Sequence, residues 1–291
     1  MSTHKGVRMQ TAEVIAPDGV LLHVRESGPP DAPAILFIHG WSQSWQSWMR
    51  QMESELADRF RLVAYDLRGH GMSDWPTDPA AYNRAKPWAD DVDAIITQRD
   101  LGRPVLVGWS FGGYVACDFI RAYGEERVAG VNFVCWAVMM GNTEKERALA
   151  GEGFETYFAD ATSSDLPTAI EAMRGFVRAC AARELPAEEL ETLLAFNIIV
   201  PPQVRREMAM RGTSDNSNLL RTLTVPVQVT QGADDRVTRL AAAHHIKNCV
   251  PHADVRVYDS VGHMPFLEAP HDFNRELAEF AERAHAATPA R

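Results

Sequence analysis

Cysteine is scarce in this 291-residue chain: Cys117, Cys135, Cys180 and Cys249 are scattered, and no two stand at C-x-x-C spacing. That excludes a disulfide framework and the usual thiolate metal or redox motifs, and four buried free thiols are expected. Long hydrophobic runs are missing too, with nothing near the ~18 apolar residues of a membrane span, and Met1 to Val7 lack the apolar centre of a secretory signal. A cytoplasmic protein that crosses no membrane is the expectation. Basic residues are in deficit, 29 Lys and Arg against 39 Asp and Glu for a net charge of −10. Nucleic acid and anionic membranes need clustered positive charge, so they are excluded as main partners and a small neutral or cationic substrate fits better. No internal repeat is visible, no motif asks for a metal or cofactor, and no pattern specifies an oligomeric state.

What is present reads as an alternation of strands and helices. Thr11 to Val24 forms two alternating runs meeting at Asp18-Gly19, a hairpin signal. Short continuous apolar runs follow at Ala34 to Ile38, Leu62 to Tyr65, Val105 to Val107, Val131 to Trp136, Val227 to Thr230 and Val255 to Tyr258. Helical patterns intervene at Trp48 to Leu56, Trp88 to Asp100, Gly113 to Tyr123, Thr238 to Asn248 and His271 to Ala284. Such alternation predicts an α/β fold with a mostly parallel central sheet flanked by helices. From about Val138 to Leu223 no convincing strand appears, while helices are predicted over Leu166 to Ala182, Ala187 to Phe196 and Gln203 to Arg211, with starts at Pro167, Pro186 and Pro202. This divides the chain into a core of residues 1–137 and 223–291 and an inserted all-helical cap of residues 138–222. The tail from Ala284 to Arg291 reads as frayed.

The strand ending at Val107 runs into Gly108-Trp109-Ser110-Phe111-Gly112-Gly113 and then a helix, the context a G-x-S-x-G nucleophile elbow requires. A serine hydroxyl is a weak nucleophile unless a base takes its proton and a third group orients that base. Two later loops supply both types: Gly232-Ala233-Asp234-Asp235 after one strand, and Gly262-His263-Met264-Pro265 after the next. Each lies past the C-terminal end of a strand, where open α/β sheets build their sites.

With these elements, His39-Gly40-Trp41 and Arg68-Gly69-His70-Gly71-Met72-Ser73, almost the whole chain resembles the α/β-hydrolase superfamily, in its carboxylesterase and lactonase-like branch with a helical cap. The resemblance implies Ser110 as nucleophile, His263 as base and Asp235 as orienting acid, with Asp234 the neighbouring alternative. It also implies an oxyanion hole made by the backbone amides of Trp41 and Phe111. Trp41, Trp109, Trp136 and Met264 then become expected pocket residues, for a small, largely apolar ester or lactone.

Related chemistries on the same fold stay open: cofactor-free haloperoxidase or perhydrolase activity, and cofactor-independent dioxygenation of an N-heteroaromatic, in which the orienting acid moves to the strand that here carries Asn132. A ligand-sensing receptor is the non-enzymatic alternative. Other polar features have plainer readings. His39 and the Arg68 to Gly71 loop are expected to organise loops. His244, His245, His252 and Asp254 read as surface rather than a metal site, and Asp90, Asp91 and Asp93 as acids near a helix start. Phe154, Tyr157, Phe158, Met173, Phe176 and Phe196 either roof the pocket or hold the cap helices together.

Overall fold

The computed structural model describes residues 9–141, 143–212 and 214–287; Met1 to Val7 and the end of the tail lie outside them. Among the described residues ten strands form: β1 (Gln10–Ile15), β2 (Leu21–Ser27), β3 (Ala34–Ile38), β4 (Arg61–Tyr65), β5 (Val105–Trp109), β6 (Gly130–Val134), β7 (Met139–Met140), β8 (Ser214–Asp215), β9 (Val227–Gly232) and β10 (Asp254–Tyr258). Eight of them make one sheet in the order β1-β2-β4-β3-β5-β6-β9-β10. The β1-β2 hairpin is antiparallel and β2 meets β4 antiparallel, whereas every pairing from β4 to β10 is parallel. Every residue of β3, β4, β5, β6 and β9 is buried. These strands therefore read as continuous apolar runs rather than alternating ones.

The helices before the insertion are α1 (Met49–Met52), α2 (Ala85–Gln98) and α3 (Phe111–Tyr123). Between β6 and β9 come α4 (Glu144–Leu149), α5 (Glu152–Ala161), α6 (Leu166–Ala179), α7 (Ala187–Ile198), α8 (Pro202–Ala209) and α9 (Ser217–Thr222). The chain closes with α10 (Leu240–Cys249), α11 (Pro265–Glu268) and α12 (Pro270–Ala287). Among the described residues no helix is long and apolar enough to cross a membrane.

Four local expectations need correction. The helix expected over Trp48 to Leu56 is broken into 3-10 turns on either side of α1, because the Ser44 and Ser54 side chains accept from the backbone amides of Gln46 and Leu56 and restart the chain. The insertion is not all-helical: β7 and β8 pair antiparallel, a two-residue ladder too short to leave a periodic signal. The tail is helical through Ala287. Asp91 is not a first-turn acid; α2 starts at Ala85, so Asp91 falls a turn later on the buried face, where Arg68 grips both its oxygens at 2.8 and 2.6 Å. Arg68 also reaches Asp18 in the hairpin turn at 2.7 Å, which gives the Arg68 to Gly71 loop its structural role.

All four cysteines are free and buried. Burial pushes the thiols of Cys117, Cys135 and Cys180 up, away from the reactive thiolate. We expect no thiol to react with Ellman's reagent in the native protein and four to react after denaturation; rapid native titration would show the packing to be looser than described.

Candidate active site

Ser110 follows β5 directly and stands at φ 51°, ψ −114°, a left-handed backbone that few side-chain-bearing residues adopt. Three glycines make that turn possible. A Cβ on Gly108 would lie 2.7 Å from the Gly112 carbonyl oxygen, one on Gly112 would lie 2.2 Å from the Ile38 oxygen, and one on Gly113 would lie 2.6 Å from the Trp136 ring. The elbow is thus pressed against β3 and against the residues beyond β6, while Ser110 itself keeps partial exposure.

The two later loops meet at the same end of the sheet. His263 Nδ1 is 2.8 Å from Asp235 Oδ2, and both residues are buried. Asp235 Oδ1 accepts from the backbone amides of Val237 and Thr238 at 2.8 and 2.9 Å, and Oδ2 also accepts from Gln231 Nε2 at 3.1 Å. Four hydrogen-bond partners saturate this carboxylate and fix its orientation toward His263. Asp234, by contrast, is exposed, and among the described residues only its amide is tied down, to the Val261 carbonyl. With Nδ1 committed to Asp235, Nε2 is the ring atom left free to take a proton.

Further bonds hold the histidine loop. Trp109 donates its indole N–H to the His263 carbonyl at 2.8 Å, linking the residue before Ser110 to His263. Glu268, which motif reading missed, accepts from the Gly262 amide with Oε1 and the Ala182 amide with Oε2, both at 2.9 Å. The only sequence sign of it was an acid five residues beyond His263.

The His39-Gly40-Trp41 turn lies beside the elbow: a Cβ on Gly40 would be 3.4 Å from Ser110 Cβ. The Trp41 amide meets no acceptor among the described residues, and the Phe111 amide, first in α3, has no preceding turn to donate to. His39 organises this loop as expected, holding the Gly40 carbonyl with Nδ1 and receiving the Leu67 amide on Nε2.

Ser110 opens on a half-enclosed cavity with about 100 Å³ of water-accessible space, lined by Trp41, Phe111, Tyr114, Ala137, Met139, Met140, Ala150, Phe154, Ala209, Val237 and Thr238, with Glu146 as its one charged wall residue. Of the tryptophans expected there, only Trp41 reaches the wall. Trp109 is buried against Phe266 and Trp48, Trp136 stacks on Phe133 with ring centroids 4.6 Å apart, and Met264 is buried outside the lining. The close approach of Gly113 draws Trp136 down onto α3, away from the cavity. Phe154 does roof the pocket, whereas Phe158 and Phe176 pack around the Trp41 ring, at 6.0 and 5.3 Å.

Two other expectations are settled by contacts. Asn132 is buried in the sheet and accepts from Thr230 Oγ1 at 3.0 Å; the residue from this part of the chain that reaches His263 and Asp235 is Cys135, with ligand atoms within 4.8 Å of theirs. That trio makes a poor metal site, because the carboxylate already accepts four hydrogen bonds and burial keeps the thiol protonated. The histidines near the C-terminus stay apart: His245 meets Ser217 Oγ, His252 meets the Val225 carbonyl, and Asp254 pairs with Arg256 and Arg283.

A family model described as the alpha/beta hydrolase family matches residues 35–276. Among solved structures, a putative aryl esterase from Burkholderia cenocepacia is 33% identical with a TM-score of 0.85, covering 95% of this chain and 100% of that one. The esterase RhEst1 from Rhodococcus sp. ECU1013 is 32% identical with a TM-score of 0.86, covering 94% and 98%. A bifunctional esterase/perhydrolase of Acinetobacter calcoaceticus is 38% identical over 116 residues; that match spans 40% of this chain and 41% of the relative.

The elbow geometry predicts that Gly112→Ala loses at least about 3 kcal/mol of stability, since backbone on both sides must move. Urea unfolding measures this, and a variant within experimental error of the parent would contradict the close approach.

Proposed function

The chain belongs to the alpha/beta hydrolase family, and from that premise we propose that it is a serine hydrolase cleaving small, largely apolar carboxylic esters or lactones through an acyl-enzyme on Ser110. The observation that carries this reading is the 2.8 Å bond between His263 Nδ1 and a saturated Asp235 carboxylate, on a loop that the Trp109 indole ties to the residue before a strained serine opening on an apolar cavity.

In this mechanism His263 Nε2 takes the hydroxyl proton as Ser110 Oγ attacks the ester carbonyl. Asp235 stays ionised and steadies the imidazolium. The oxyanion is received by the Trp41 and Phe111 amides, each such donor contributing about 3 kcal/mol to the barrier reduction. The tetrahedral adduct collapses as His263 returns the proton to the leaving alkoxide. Water then repeats the attack on the acyl group, releasing the acid and restoring Ser110. The similarity to the esterase/perhydrolase favours a second outcome at the same acyl-enzyme, in which hydrogen peroxide replaces water and the product is a peracid.

Asp235→Asn should lower kcat on p-nitrophenyl acetate by about 10⁴-fold, through loss of the correct imidazole tautomer. Asp234→Asn, on the surface, should stay within about two-fold of the parent. The reverse ranking would transfer the acid role to Asp234.

The cavity's charge sets a preference as well. A negatively charged acyl chain would face Glu146 in a largely apolar wall, a repulsion worth about ten-fold in rate. An ester ending in a free carboxylate should show kcat/KM about ten-fold below its uncharged isostere, and Glu146→Gln should narrow the gap. Equal values for the two esters in the parent enzyme would remove Glu146 from specificity.

A further inference from the structure

Arg205, on α8, is fully buried, and among the described residues no carboxylate pairs with it. Its guanidinium is instead surrounded by neutral oxygens. Nη1 donates to the Ala161 carbonyl at 2.6 Å, Nη2 to the Asn197 and Ile198 carbonyls at 3.1 Å, and Nε to Ser42 Oγ at 3.1 Å. Ala161 ends α5, and Asn197 and Ile198 end α7. Carbonyls in the last turn of a helix have no partner within it and carry the negative end of the helix dipole. Two helix ends thus stand where a carboxylate stands elsewhere; burial lowers the Arg205 pKa to about 10, which leaves the guanidinium charged at neutral pH.

The same residue touches the loop beside Ser110 twice. Its main-chain carbonyl accepts the Trp41 indole N–H at 2.8 Å, and its Nε holds Ser42 Oγ, which donates to the Asn197 carbonyl at 3.1 Å. Asn197 and Gln43 exchange side-chain amide bonds at 3.1 and 3.2 Å. Ser42 itself stands at φ 59°, a left-handed conformation that persists only where the surroundings over-determine it. Here the surroundings are residues of the insertion.

We propose that Arg205 is a positioning residue for the oxyanion loop: through Ser42 and Trp41 it transmits the docked position of α5, α7 and α8 to the Trp41 amide. This rests on the reading of Trp41 as an oxyanion donor. The inserted segment therefore sets the rate of the chemical step as well as the shape of the pocket.

The test compares Arg205→Met, Arg205→Lys and Ser42→Ala with the parent, after circular dichroism has established a native spectrum. Displacing a donor by about 1 Å costs about 10²-fold in rate, so Arg205→Met should lower kcat on p-nitrophenyl acetate about 100-fold with KM little changed. Arg205→Lys, which keeps the charge but not the fork, should fall between. Affinity for a trifluoromethyl ketone, which forms a hemiketal oxyanion on Ser110, should drop in step with kcat, whereas a merely structural residue would leave that affinity unmoved. If Arg205→Met does not fold, Ser42→Ala decides by the same two measurements, with a loss of about ten-fold expected from removal of one link. Folded variants with parental kcat and ketone affinity would overturn the proposal. Failure of the broader reading is distinguishable, because Ser110→Ala would then retain the parent's activity.

Discussion

The Ser110 backbone is the constraint on which the rest of the site depends. Holding a serine at φ 51° costs on the order of 1–3 kcal/mol, and the cost is met by packing that closes around the turn from three sides. β3 supplies the Ile38 carbonyl against Gly112, α3 begins at once with Phe111, and Trp136 lies across Gly113. Each contact admits only hydrogen at the glycine. The same closeness puts the His39-Gly40-Trp41 turn against Ser110 and removes Trp136 from the pocket, so the exposure of Ser110 and the shape of the pocket follow from one set of steric contacts.

Charge is handled with comparable economy. Asp235 is buried with four hydrogen-bond partners, two of them backbone amides of the following turn. Arg68 and Asp91 form a buried pair that pins the hairpin, the β4 loop and α2 together. Among the described residues Arg205 has no acid partner and is held by the carbonyl ends of two helices. Among the described residues Glu146 is the single charge lining the cavity, in an otherwise uncharged wall.

Much of this was legible in the amino-acid order. Strands buried on both faces show as apolar runs, and β3 to β6 and β9 were found that way; β10, at the sheet edge, is only partly buried although its Val255 to Tyr258 run marked it. The order Ser110, Asp235, His263 in three strand-end loops was legible because loop chemistry there is written in few residue types. Side-chain direction was not. Trp109 and Met264 adjoin Ser110 and His263 in sequence and Trp136 follows a strand end, yet all three turn into the core, while Ala137, Ala150, Ala209 and Val237 line the cavity without any compositional mark. Asp91 misled for a related reason, since a helix beginning three residues before Trp88 rotates it onto the buried face. The bonds joining Ser42, Gln43, Asn197 and Arg205 span more than 150 residues of chain, and no local pattern announces contacts of that range.

The most direct test of the central claim is covalent. Treating the native protein with a fluorophosphonate and mapping the adduct by peptide mass spectrometry asks which oxygen is the nucleophile. The account predicts stoichiometric modification of Ser110 with parallel loss of ester hydrolysis, and none in the Asp235→Asn variant over the same period. Modification at another residue, or full hydrolysis after Ser110 is blocked, would contradict it.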